Sequence, residues 1–152
     1  TYVWMPMQVD GEKLSIPSYW QSWNPFTVKE EDVLKNAVRK PFVLHSNEVG
    51  KTMKMRFKGT HIALLGHTDS HGGYALVTIQ DKKGKVVYSS LIDFYSKVPQ
   101  EGVRVITPKM PKGQYTLVVK VTGDRSNWTD KAQHKFGTDG CFVQTNEICV
   151  FE

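Results

Sequence analysis

Nothing in the chain approaches the roughly 18 consecutive apolar residues that a membrane-crossing helix needs, so no membrane span is expected. The opening TYVWMPM offers neither an initiator methionine nor a basic stretch leading into an apolar one, which reads as a processed product or a piece of a longer protein. Cysteine is scarce, with only Cys141 and Cys149 in 152 residues. If the segment between them is one extended strand, their sulfurs lie about 25 Å apart and cannot pair with each other. They then act as small buried apolar residues, unless a turn at Thr145-Asn146 folds the segment into a hairpin. Cysteine usage therefore fixes no compartment.

Basic runs are also lacking. The formal charge is +5, but the lysines fall singly or in pairs, mostly in turns or at alternate strand positions. A nucleic-acid binder needs a clustered basic stripe with interleaved aromatics, so no nucleic-acid partner is expected. Disorder is excluded by 39% hydrophobic and 11% aromatic content. Internal repeats and low-complexity tracts are missing too.

What the chain does have is alternation. KTMKMRF sets Met53, Met55 and Phe57 against Lys54 and Arg56; YALVTIQ sets Ala75, Val77 and Ile79 against Thr78 and Gln80. QYTLVVKV sets Tyr115, Leu117, Val119 and Val121 against Thr116 and Lys120. A period of two marks half-buried strands, and Met53, Met55, Phe57, Val77, Ile79, Leu117 and Val119 are the expected core. THIALLG, VVYSSLIDFY, GVRVITP and CFVQTNEICVF read as further strands, with turns at Gly72-Gly73, Asp81 to Gly84, Pro111 to Gly113 and Gly137 to Gly140. About seven short antiparallel strands indicate an all-β sandwich of jelly-roll type over residues 38–152.

Residues 1–37 form an irregular segment, expected to pack on the sandwich through Trp20, Trp23 and Phe26. Asp10-Gly11 punctuates a short hairpin. TVKEEDVLKNAV is the one helix candidate, worth one or two turns, with Thr27 as cap and Glu30 at the capping-box position.

The string from FKGTHIALLG through GGYALVTIQDKKGKVVYSSLIDFYS and MPKGQYTLVVKVTG to GCFVQTNEICVFE resembles the galactose-binding-like jelly rolls that accompany SGNH/GDSL-type esterases and other carbohydrate-active enzymes. The matching residues are Gly59-Thr60, Gly66, Gly73, Asp81 with Gly84, Asp93 to Ser96, Pro111 with Gly113 to Leu117, and Phe142 to Phe151. The resemblance covers about Leu44 to Phe151. It implies a non-catalytic carbohydrate-binding or substrate-positioning module, extracytoplasmic (periplasmic or secreted), whose partners are a glycan or glycan-bearing substrate and the catalytic domain of a parent esterase. The DKKG turn and Asn146-Glu147 depart from the family pattern.

The densest chemistry is GHTDSHGG, Gly66 to Gly73. Asp69, Ser70 and His71 are sequence neighbours, and three consecutive residues can hardly place an imidazole between hydroxyl and carboxylate. No G-x-S-x-G elbow exists, and GDRSNW is no G-D-S block, so no catalytic set is expected. His67, Asp69 and His71 alternate and would share one face of an extended strand as metal ligands. The favoured reading is instead a turn in which Asp69 and Ser70 satisfy backbone amides and the glycines take positive φ. No cofactor or metal is expected.

Sugar rings stack flat C–H faces on aromatic rings and need polar partners for their hydroxyls. The expected ligand contacts are Trp128 as platform, with Asn127, Arg125, Asp130, Tyr95 and His71 around it. Asn127-Trp128-Thr129 is also a glycosylation sequon. Two other readings stand beside this one: a structural spacer or docking domain that touches no sugar, and a metal-dependent enzyme or hydrolase fragment completed by residues outside the chain.

Overall fold

The computed structural model describes residues 5–16, 20, 22–129, 135–138 and 140–152. It divides into two compact units, Thr1–Lys35 and Asn36–Glu152.

In the first unit, β1 (Gln8–Asp10) and β2 (Lys13–Ser15) form the hairpin that Asp10-Gly11 announces, with Gly11 at φ 59°. β3 (Trp23–Asn24) pairs with β4 (Lys29–Glu30) where a helix was expected. Among the described residues there is no helix, and local hydrogen bonding supplies the reason. The Asn24 side-chain oxygen accepts from the Phe26 and Thr27 amides, Val28 sits at φ 52°, and Asp32 Oδ1 accepts from the Leu34 amide. Short polar side chains that bond nearby amides offer the backbone an alternative to the helix, and the β-branched Val28 and Val33 weaken it further. Phe26, expected to anchor the segment, is 94% exposed; Trp20 and Trp23 are half-buried.

The second unit is an all-β sandwich. Its strands are β5 (Val38–Ser46), β6 (Thr52–Gly59), β7 (His61–Thr68), β8 (Tyr74–Gln80), β9 (Val86–Asp93), β10 (Gln100–Ile106), β11 (Gly113–Val121), β12 (Asn127–Thr129), β13 (Lys135–Gly137) and β14 (Val143–Phe151). One four-stranded sheet has the order β10-β7-β14-β5 and the other β6-β11-β8-β9, antiparallel throughout. Chain neighbours lie in opposite sheets at most steps, which is consistent with a jelly roll. β12 and β13 make a small hairpin inside the long connection from β11 to β14.

Between the sheets lie Phe42, Leu44, Phe57, Ile62, Leu64, Val77, Ile79, Phe94, Leu117, Val119, Val143 and Ile148. Phe57, Val77, Ile79, Leu117 and Val119 are buried as the alternation indicated, and Met53 and Met55 pack against them half-buried. Cys149 is buried in β14 and Cys141 lies half-buried just before it. The strand runs extended between them, so the Thr145-Asn146 hairpin does not form. The irregularity there is a β-bulge instead, Thr145 facing Gly66 and Glu147 facing Leu65 with Asn146 extra. A second bulge in β10, between Val103 and Val105, inserts Arg104 beside the same stretch of β7. Bulges add twist and re-aim side chains, and these two flank Leu64-Leu65 on both sides.

Candidate functional site

Because the side-chain period of a strand is two, residues paired across a sheet share a face. In the β10-β7-β14-β5 sheet the pairings place Glu101 opposite His67, His67 opposite Gln144, and Gln144 opposite His45. These four side chains form one polar row across all four strands on the face turned away from the core. Three inter-strand spacings make that row about 14 Å long.

The row is wired together. His67 Nδ1 lies 2.8 Å from Glu101 Oε1, and Asn146, set out by its bulge, donates from Nδ2 to Glu101 Oε2 at 3.0 Å. Gln144 donates from Nε2 to Asp69 Oδ2 at 2.8 Å, and His67 Nε2 stands 3.5 Å from the same oxygen. His45 meets the Phe142 ring edge-on with centroids 5.3 Å apart. Arg104 reaches back to the Gly102 carbonyl; burial lowers its pKa, and the nearby Glu101 carboxylate works the other way.

Asp69 joins this face to the loops at one end of the sandwich. Its Oδ1 accepts from the His71 amide at 2.8 Å, the side-chain geometry of a tight turn, and its carbonyl accepts from the Gly72 and Ser96 amides. Burial opposes its ionised form, but the His71 amide, the Gln144 amide and the charges of His67 and His71 outweigh that and hold the carboxyl below its ordinary 3.8. Extended pairing stops at Asp69, which bridges to Tyr95, so His71 lies beyond the turn and leaves the alternation that His67 and Asp69 share. Among the described residues no three His, Cys, Asp or Glu side chains converge on one metal-sized point.

Gly72 and Gly73 serve the turn differently from the expectation. Neither has a positive φ. A Cβ on Gly72 would meet the Phe94 carbonyl oxygen at 1.9 Å, and one on Gly73 would meet the Cys141 backbone at 2.6 Å. They are glycines because three backbones pass too close for a side chain.

Around the turn, Asp93 is the second organiser. Its Oδ1 accepts from the Tyr95 amide and its Oδ2 from the Ser126 hydroxyl, 2.7 Å away, which also lies 3.2 Å from the Tyr74 hydroxyl. The chain from His71 through Asp69, Tyr95, Asp93 and Ser126 therefore brings His71, Tyr95, Arg125 and Asn127 into one loop cluster. Arg125, Asn127 and His71 are exposed and Tyr95 is half-buried. The Trp128 backbone lies in β12 opposite Phe136, with its side chain outside the described portion, and Asp130 lies outside the described residues.

Sequence reasoning singled out His67 and Asp69 but missed Glu101, Gln144, Asn146 and His45. Their common signal is the outward register of alternate polar residues, which becomes readable only once strand partners are known.

No family model matches the chain, and no curated protein is similar to it at a significant level.

Proposed function

We propose that the domain is a non-catalytic carbohydrate-binding or substrate-positioning module, of the galactose-binding-like kind that accompanies SGNH/GDSL-type esterases, and that it works outside the cytoplasm. The single observation that carries the reading is the polar row His45-Gln144-His67-Glu101 with Asp69 and Asn146. It offers amides, imidazoles and carboxylates along a sheet face, with the Phe142 and His45 rings at one end. Sugar hydroxyls both donate and accept, so they suit such a mixture, while an aromatic edge takes the C–H face. The network holds its members in place before any ligand arrives, which lowers the entropy lost on binding. The adjoining loop cluster extends the surface toward Tyr95, Arg125 and Asn127, where Trp128 is the proposed stacking platform.

A shallow open site of this kind binds weakly, with a free energy of about −4 to −6 kcal/mol, or a Kd of millimolar to tens of micromolar. Titration with plain and acetylated oligosaccharides at millimolar concentration, followed by NMR, should shift the side-chain amides of Gln144 and Asn146 and the Trp128 indole together. Replacing Gln144 and Asn146 by Ala should abolish the shifts without altering the spectrum of the core. No movement at either place with any glycan would end this reading and leave the spacer role.

A further inference from the structure

Strands of both sheets line a second feature that shares no residue with the polar row. β6 is an edge strand of its sheet and β5 an edge strand of the opposite one. From β5 across β6 and β11 to the β8–β9 turn runs a cleft of about 480 Å³, and Lys40, Arg56, Lys58 and Lys82 all line it. Those four cations come from three separate elements. Arg56 and Lys58 are held side by side on one face by the strand period, and Thr116 and Gln114 stand directly opposite them on β11. Both of these neighbours also line the cleft and carry hydrogen-bond donors.

Among the described residues the one carboxylate in the lining is Asp81, and it is committed elsewhere. Its Oδ1 accepts from the Lys83 and Lys85 amides at 2.8 and 3.0 Å, closing the hairpin turn. Among the described residues none of the four cations is ion-paired; the ion pairs formed by lysine and arginine are Arg39 with Glu147, Lys51 with Glu48 and Lys112 with Glu152. Lysines on an edge strand guard against strand-to-strand association, which accounts for Lys54, Arg56 and Lys58 along β6. It covers Lys40 on the edge strand β5 as well, but it does not account for Lys82, nor for the meeting of cations from two sheet edges and a turn around one cleft. Like charges gathered in a concave site repel one another and focus a positive potential there, and an anion relieves the repulsion.

We infer that this cleft is a second binding site, for a ligand bearing sulfate or phosphate ester groups on a scaffold up to about the size of a sugar ring. Arg56 offers a planar fork for two oxygens of one oxyanion, while Lys40, Lys58 and Lys82 act as point charges. Gln114 and Thr116 supply neutral donors between them. The site is independent of the glycan reading, since it shares no residue with the polar row and selects charge.

Inositol hexasulfate and inositol hexakisphosphate, which share one six-membered ring and six esters, serve as probes, with neutral inositol and glucose as controls, in NMR titrations of the full chain at low and at physiological salt. Amide shifts should concentrate on residues 56–58, 80–83 and 114–116, weaken with salt, and vanish with the neutral sugars. The double variant Arg56→Gln, Lys58→Gln should lose about tenfold or more in affinity, whereas the double control Lys54→Gln, Lys120→Gln, the same charge change on the same sheet outside the cleft, should stay within about twofold. A preference for one probe identifies the ester as sulfate or phosphate. Shifts spread equally over Lys51, Lys54 and Lys120, or equal losses in the cleft and control variants, would overturn the site and leave only diffuse charge attraction. Both variants sit on exposed positions, and unchanged spectral dispersion of the core separates lost binding from lost folding.

Discussion

Asp69 was legible in one of its tasks and illegible in the other. GHTDSHGG reads as a turn in which its carboxylate satisfies a backbone amide, and Oδ1 does so at His71, but its further bonds to the Gln144 side chain and His67 depend on strand register that spacing alone could not give. The same residue makes stability depend on pH. Its folded pKa lies below the ordinary 3.8, so its contribution is complete above that value and is lost as pH falls through the lower folded one. His61, stacked on Phe151 with centroids 4.2 Å apart, titrates earlier. Burial first, and then the charge of Lys109, lower its pKa from 6.5, so the unfolded chain takes up the proton more readily. Stability is then full above that value and declines as pH drops below it. Urea midpoints should fall in the window just below neutrality, and His61→Phe, which keeps a ring on Phe151, should flatten that step. Asp69→Asn should flatten the separate, more acidic step. Midpoints indifferent to both substitutions would show that neither group is linked to folding.

At the scale of the element, alternation was a reliable guide where each strand buries one face, and local hydrogen bonding overrode propensity where no face is buried. β6 and β8 follow their period closely and β11 departs from it at buried Val118, whereas the helix expected at TVKEEDVLKNAV gives way to the Asn24 and Asp32 turns. β5, which was not read as a distinct strand, contains a proline at Pro41; it lies at a sheet edge, where a missing amide is tolerated. Position within the sheet also grades the cost of truncation. Leu117 is central in β11, paired on both sides and fully buried, so Leu117→Ala should destabilise by about 2–5 kcal/mol. Leu91, 61% exposed on the edge strand β9, should lose about 0.5 kcal/mol or less on the same change. Chemical denaturation of the two variants reads the difference, and comparable losses would mean that the core does not lie between these sheets.

For the whole molecule, every strand of both four-stranded sheets, and every residue of the core cluster, lies in Asn36–Glu152. A chain beginning at Asn36 should therefore fold alone, with NMR dispersion matching the full chain across β5 to β14; loss of that dispersion would make the first unit part of the fold. The sequence by itself determined the all-β class, seven of the eight long strands, most of their turns and the part of the core that β6, β8 and β11 contribute, because the two-residue period and the turn residues are local properties. It did not determine which polar residues meet. Glu101, His67, Gln144 and His45 are far apart in the chain and become one row only through strand order and register. Lys40, Arg56, Lys58 and Lys82 looked scattered because alternate strand positions and a turn separate like charges along the chain, while folding brings three elements around one cleft. Long-range pairing, which depends on how the two sheets close over their core, decided both surfaces.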